Sequence, residues 1–212
     1  KIITLYLTHL SKTSKFSTLK RRLASISVIH KLNGHYLDTK HPLITENLLG
    51  IKRVKGTYQK SKKPILINDL KTIINAIDKE KNEKKGIRNK ALLLIGFAGG
   101  FRRSELVEIF FEDIEFVNEG VKIFVKRSKT DQSGEGMIKG IPYFANPNYC
   151  PVHSLKNWIN ENKDQTGKIF NISDKNVALI IKKYAEKAGL DQSKYSGHSL
   201  RSGFATSTAE QG

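Results

Sequence analysis

The sequence predicts a mainly α-helical fold with one small antiparallel β-sheet, arranged as a basic helical module followed by a larger domain. Three observations carry that prediction. Apolar residues recur at helical spacing through most of the 212 residues. Only two segments, 121–125 and 136–143, read as strands, and a polar hairpin joins them. The charge changes abruptly along the chain: residues 1–63 hold 14 Lys and Arg against Asp38 and Glu46 alone, whereas residues 64–212 hold 23 against 18. The surpluses of 12 and 5 make up the net charge of +17.

The N-terminal "KIITLYLTHL" reads as the last turns of a helix. In "FSTLKRRLASISVIHKL" (16–32), Leu19, Leu23, Ile26, Ile29 and Leu32 form a helical stripe. Ser14 or Ser17 is the expected cap, and Asn33-Gly34 the terminator. Lys20, Arg21 and Arg22 lie off that stripe. A second helix is expected over 44–54, ending in the basic run that holds Lys52, Arg53 and Lys55. "TYQKSKKP" (57–64), polar, cationic and closed by Pro64, reads as a linker. That gives modules over 1–56 and 65–212.

In the second module, Leu70, Ile73, Ile74 and Ile77 mark a helix behind an Asn68 cap. "GIRNKALLLIGFAGG" is apolar nearly all round, which predicts a buried helix stopped by Gly99-Gly100. A tight turn and a short helix from about Ser104 follow, then the two strands. Pro151 opens a helix through Leu155, Trp158 and Ile159. "DKNVALIIKKYAEKAGL" predicts an amphipathic helix capped at Ser173 and ended by Gly189, and "SGHSLRSGFATS" a last helix.

Composition narrows the function. The longest apolar stretch, 91–98, falls far short of the ~20 residues of a membrane span. A single cysteine, Cys150, excludes an internal disulfide framework and is expected to pack beneath a helix; it fits a reducing, cytoplasmic setting. His9, His30, His35, His41 and His153 lack the spacing of a metal site, so no metal is expected. Lysine-rich coding would raise the charge everywhere. It does not explain a surplus concentrated before residue 64, which points to a polyanion such as a nucleic acid. Lys20, Arg21, Arg22, Lys52, Arg53 and Lys55 are the candidate backbone contacts.

Four further cations stand where chemistry is expected. Arg102 follows two glycines at a helix entrance, Lys129 lies in the hairpin, and His198 and Arg201 sit three apart on one helix. A planar guanidinium donates two parallel hydrogen bonds to a phosphate and stays charged at any working pH. Two of them stabilise the charge of a pentavalent transition state. A lysine can protonate a leaving oxygen, and a histidine can move a proton or hold the nucleophile. Singly, each is as well read as a helix junction, a solvated loop lysine or a chance H-x-x-R. Their order along the chain gives the combination its weight.

Those segments resemble the tyrosine recombinase (phage integrase) family over nearly the whole chain. "GIRNKALLLIGFAGGFRRSELVEIFFEDIEF" is similar to the family's first-arginine segment, "KIFVKRSKTDQSGEG" to its β-hairpin, and "YSGHSLRSGFATSTAEQG" to its H-x-x-R helix. "LASISVIHKLNG" resembles the end of the family's helical core-binding domain. The resemblance implies a partial core-binding domain (1–56), a linker (57–64) and a catalytic domain (65–212). Arg102, Lys129, His198 and Arg201 would be catalytic, with Glu105 as accessory acid. It implies cleavage and rejoining of DNA without metal or cofactor. A tyrosine attacks the scissile phosphate, forming a 3′-phosphotyrosyl link and freeing a 5′-hydroxyl. In the full-length protein a tetramer on DNA is implied, with a bacterial or phage-derived setting at the nucleoid.

The sequence departs from the family at its end. The nucleophile should follow the H-x-x-R helix, and the residues run only to Gly212. Tyr195 precedes His198, and Tyr143, Tyr149 and Tyr184 fall on expected framework. The expectation is a truncated piece that binds DNA and cannot cleave it. A non-catalytic DNA-binding regulator or architectural protein is the alternative, and a relative that relaxes supercoils is a third reading.

Overall fold

The computed structural model describes residues 1–57, 61–126, 135–162 and 166–210. These fall into two compact units, Lys1–Ser61 and Lys62–Gly212.

The first unit is three helices: α1 (Ile2–Ser11), α2 (Phe16–Leu32) and α3 (Pro42–Lys55). Leu7, Leu19, Leu23, Ile44 and Ile51 form its core. Pro42 opens α3 two residues earlier than expected, with the His41 imidazole as cap. Lys15 holds the N-cap place of α2, so neither Ser14 nor Ser17 does. The expected stripe on α2 is buried only at its start. Ile29 and Leu32 are 58% and 79% exposed. At 1.5 Å per residue, α2 runs about 10 Å beyond the 10-residue α1, and its second half outreaches the core. Asn33 and Gly34 end it as expected, Gly34 at φ +77°.

The second unit packs helices around α5 (Glu83–Ala98), whose residues 91–97 are buried on every side. Against it lie α4 (Ile67–Ile77), α7 (Pro151–Glu161) and α9 (Ser199–Ala209). Two further helices, α6 (Arg103–Val107) and α8 (Asp174–Lys187), pack on each other. Ser173 caps α8 as expected, its Oγ accepting from the Asn176 N–H. Asn68 does not cap α4; Leu66 takes that place in extended conformation, without a side-chain bond. Lys62 and Lys63, read from the sequence as linker, are tied into this unit. Lys62 Nζ donates to the Ser193 carbonyl at 2.7 Å, and the Lys63 N–H to the Lys194 carbonyl at 2.7 Å.

The sheet has three strands, in the order β1 (Ile114–Val117), β2 (Gly120–Val125) and β3 (Met137–Pro142), all antiparallel. The sequence reading missed β1. It is four residues long and follows the acidic "FED", which reads as helix. Asp113 ends that run by accepting from the Phe110 N–H at 2.9 Å, and the chain then turns into the strand. Cys150 is buried at the start of α7, as expected. Among the described residues no helix is long and apolar enough to cross a membrane.

Candidate functional site

The site is built on the end of α5. An α-helix leaves its last carbonyls without partners, and a Schellman closure satisfies only some of them. Here the Phe101 N–H donates to the Gly96 carbonyl at 3.1 Å and the Gly100 N–H to that of Phe97 at 3.0 Å. Gly100 takes the left-handed conformation this closure needs, at φ +55°. A Cβ there would also press on the Phe204 ring at 2.8 Å. The closure leaves the Gly99 and Gly100 carbonyls free to accept side-chain donors, at the negative end of a buried helix.

Two cations take those carbonyls. Arg201 Nη1, from α9, donates to the Gly100 oxygen at 2.7 Å. Lys139 Nζ, from β3, donates to the Gly99 oxygen at 2.6 Å and reaches that of Gly100 at 3.4 Å. Its ammonium also lies over the Phe101 ring, 4.5 Å from the centroid. Arg102 leaves the same turn as the N-cap of α6. Its N–H donates to Glu105 Oε2 at 2.9 Å, and its Nη1 to Oε1 at 2.6 Å. Glu105 is 5% exposed, so the carboxylate is fixed between backbone and guanidinium.

The charges act on one another. Burial pushes the Glu105 carboxyl up, but the Arg102 N–H and guanidinium and the Lys139 charge outweigh it and hold it below the usual range. Burial lowers the pKa of Lys139. Glu105 opposes that shift, while the Arg201 and Arg102 charges add to it.

Of the residues expected from sequence, Arg102, Glu105 and Arg201 therefore meet around one turn. His198 is the N-cap of α9, one turn before Arg201, and is exposed. Its N–H donates to Ser196 Oγ at 3.3 Å. Lys129 lies outside the described residues. The sequence reading missed Lys139. The available signal was strand alternation, which puts Lys139 on the same face as Ile141, opposite the buried Ile123.

Four tyrosine hydroxyls are engaged elsewhere: Tyr195 with Asp69, Tyr184 with Glu80, Tyr149 with Asn75 and Tyr143 with Lys156. Two open clefts of about 780 and 900 Å³ lie on other faces of the second unit, and neither is lined by Arg102 or Arg201.

In the first unit, Lys20, Arg21, Arg22, Lys52, Arg53 and Lys55 are all exposed. Arg22 Nη1 donates to the Tyr6 hydroxyl at 3.1 Å and Lys55 Nζ to the Ser14 carbonyl at 3.3 Å. Lys52, Arg53 and Lys55 also sit in the last turn of α3, where cations offset the helix dipole.

The "phage integrase family" sequence model matches residues 65–212. The "integrase/recombinase xerD homolog" of Selenomonas ruminantium is 41% identical over 97% of this chain and 64% of its own length. The tyrosine recombinase XerA of Pyrococcus furiosus is 28% identical over 71% of this chain and 49% of its own. The chain thus spans under two thirds of either relative.

Among solved structures, XerH bound to a palindromic difH substrate in a post-cleavage complex superposes with a TM-score of 0.72. The overlap covers 99% of this chain and 61% of that one, at 19% identity. A lambda integrase tetramer bound to a Holliday junction gives 0.58 over 99% and 59%, at 17% identity. With the family's sequence model matching residues 65–212, well over half of the sequence, the chain belongs to the phage integrase family of tyrosine recombinases.

Proposed function

We propose that a protein containing this chain recombines double-stranded DNA at specific sites, through a phosphotyrosyl intermediate. The observation that carries this reading is the convergence of Arg102 and Arg201 on the Gly99–Gly100 turn, from segments about a hundred residues apart. Arg102 and Arg201 hold the non-bridging oxygens of the scissile phosphate. They attract it more strongly as it passes to the pentavalent state, where its charge rises. Glu105 keeps Arg102 from swinging away. His198, exposed at the start of α9, handles a proton at the attacking oxygen, and Lys129 protonates the leaving 5′ oxygen.

The nucleophile is a tyrosine of the parent protein that is not among the residues of this chain. Lys20, Arg21, Arg22, Lys52, Arg53 and Lys55 grip the duplex backbone. The working assembly is a tetramer on DNA, as in the lambda integrase complex, inside a bacterial cell.

The test is adduct formation on a nicked duplex, by a protein in which this chain is joined to its nucleophilic tyrosine. Arg102→Ala and Arg201→Ala abolish the covalent protein–DNA adduct while most DNA affinity remains. Adduct formation by either variant at the parental rate refutes the reading. Specific binding by the parent with no adduct at all replaces it with a non-catalytic DNA-binding protein.

A further inference from the structure

We propose that Lys139 is a positioning residue of the phosphate pocket: it pins the turn that orients Arg102 and Arg201. The inference rests on the phosphoryl-transfer reading above.

Gly99 and Gly100 connect the rigid α5 to Arg102, and the Gly100 carbonyl is the anchor of Arg201. A Gly–Gly junction has the widest backbone freedom of any dipeptide, so something must hold it. Lys139 does so from β3, bonding the Gly99 carbonyl at 2.6 Å with its ammonium over the next side chain, Phe101. β3 is itself held by its ladder with β2, in which Lys139 pairs with Ile123. The turn is thereby tied to the sheet, and both arginines with it.

Arginines act on the phosphate most strongly in the pentavalent state, where its charge rises, so misplacing them falls on the chemical step more than on binding.

The experiment uses the protein in which this chain is joined to its tyrosine, and compares the parent, Lys139→Met, Lys139→Arg and Arg201→Ala. Three quantities are read: single-turnover adduct formation at saturating nicked duplex, the Kd for that duplex at fixed salt, and the thermal midpoint. Lys139→Met keeps most of the apolar stem and loses the charge and the donor. It should slow adduct formation by about tenfold or more, with Kd changed less than about threefold. Lys139→Arg, which restores a charged donor, should recover most of the lost rate.

A Lys139→Met rate within twofold of the parent overturns the inference. So does a loss that appears equally in Kd, or in the thermal midpoint of both Lys139 variants without recovery of rate by arginine. Arg201→Ala separates the two levels. If it forms adduct at the parental rate, the phosphoryl-transfer reading fails. If it is inactive while Lys139→Met is unimpaired, only the role of Lys139 fails.

Discussion

Gly203→Ala is the sharpest perturbation the packing offers. Gly203 lies on α9, two residues past Arg201, and is buried against the backbone of Ile65. The Ile65 N–H also donates to the Ser199 carbonyl at 2.9 Å, so helix and strap touch along a line. A Cβ at Gly203 would sit 2.8 Å from the Ile65 carbonyl carbon and 3.1 Å from its nitrogen, and nearer still to its oxygen. Ordinary contact begins at 3.4 Å. The carbonyl carbon alone demands a lift of about 0.6 Å and the nearer oxygen demands more, against backbone that cannot rotate out of the way. If α9 moves as a body, the Arg201–Gly100 bond stretches from 2.7 Å to beyond about 3.3 Å, past useful geometry.

Overpacking of this kind costs about 1–3 kcal/mol, and alanine returns about 1 kcal/mol of helix propensity over glycine. Because the obstacle is main chain, the upper end applies and the net loss is about 2 kcal/mol. In a domain of this size that lowers the thermal midpoint by roughly 4–8 °C. Thermal unfolding of Gly203→Ala measures it, with Gly50→Ala as the control. Gly50 lies inside α3 with nothing within 4 Å of its Cβ position, so alanine there should stabilise the first unit by about 1 kcal/mol. Gly203→Ala as stable as the parent would show that α9 is not seated on Ile65, and the geometry of Arg201 would lose its support.

Other outcomes follow from the same contacts. Glu105→Gln keeps shape but leaves the Arg102 guanidinium without its carboxylate; it should cost about 1–3 kcal/mol in urea unfolding and slow adduct formation in a protein carrying the nucleophile. Glu80 accepts from Lys183, Tyr184 and Lys187, and its carboxyl is lowered to about 2 by Lys183 first and then Tyr184. Its contribution is whole above the ordinary value of 4.5 and is lost as pH falls from there through 2. The urea midpoint of Glu80→Gln should therefore drop less between pH 7 and pH 3 than that of the parent. For DNA binding, Lys20→Ala or Arg21→Ala should flatten the slope of log K against log salt by about 0.9 each where the side chain meets a phosphate. A titration at four salt concentrations, with an unchanged slope, would return that residue to plain solvation.

The recognisable parts of this chain are those whose chemistry is local. The Gly99-Gly100 stop, the Ser173 cap and the apolar run through α5 each announce themselves within a few residues, and the arginines follow from their neighbours. Position through tertiary contact leaves no such trace. Lys139 looks like the polar member of a strand; its partner carbonyl lies 40 residues upstream. Short β1 carries too few alternations to outweigh its acidic surroundings. Ile29 and Leu32 keep perfect helical spacing, yet only the length of the neighbouring helices decides whether such a stripe has anything to cover it. The salt bridges of Glu80 span more than a hundred residues and were invisible for the same reason.

Because residues 91–97 of α5 are enclosed on all sides, their amides have no route to solvent short of disassembling the unit around them. Their deuterium uptake is therefore a gauge of global opening in the second unit, readable without interference from the first. The two glycine carbonyls hang from the last turn of that slowest-exchanging rod, so the grip on Arg201 should be among the final things the protein releases.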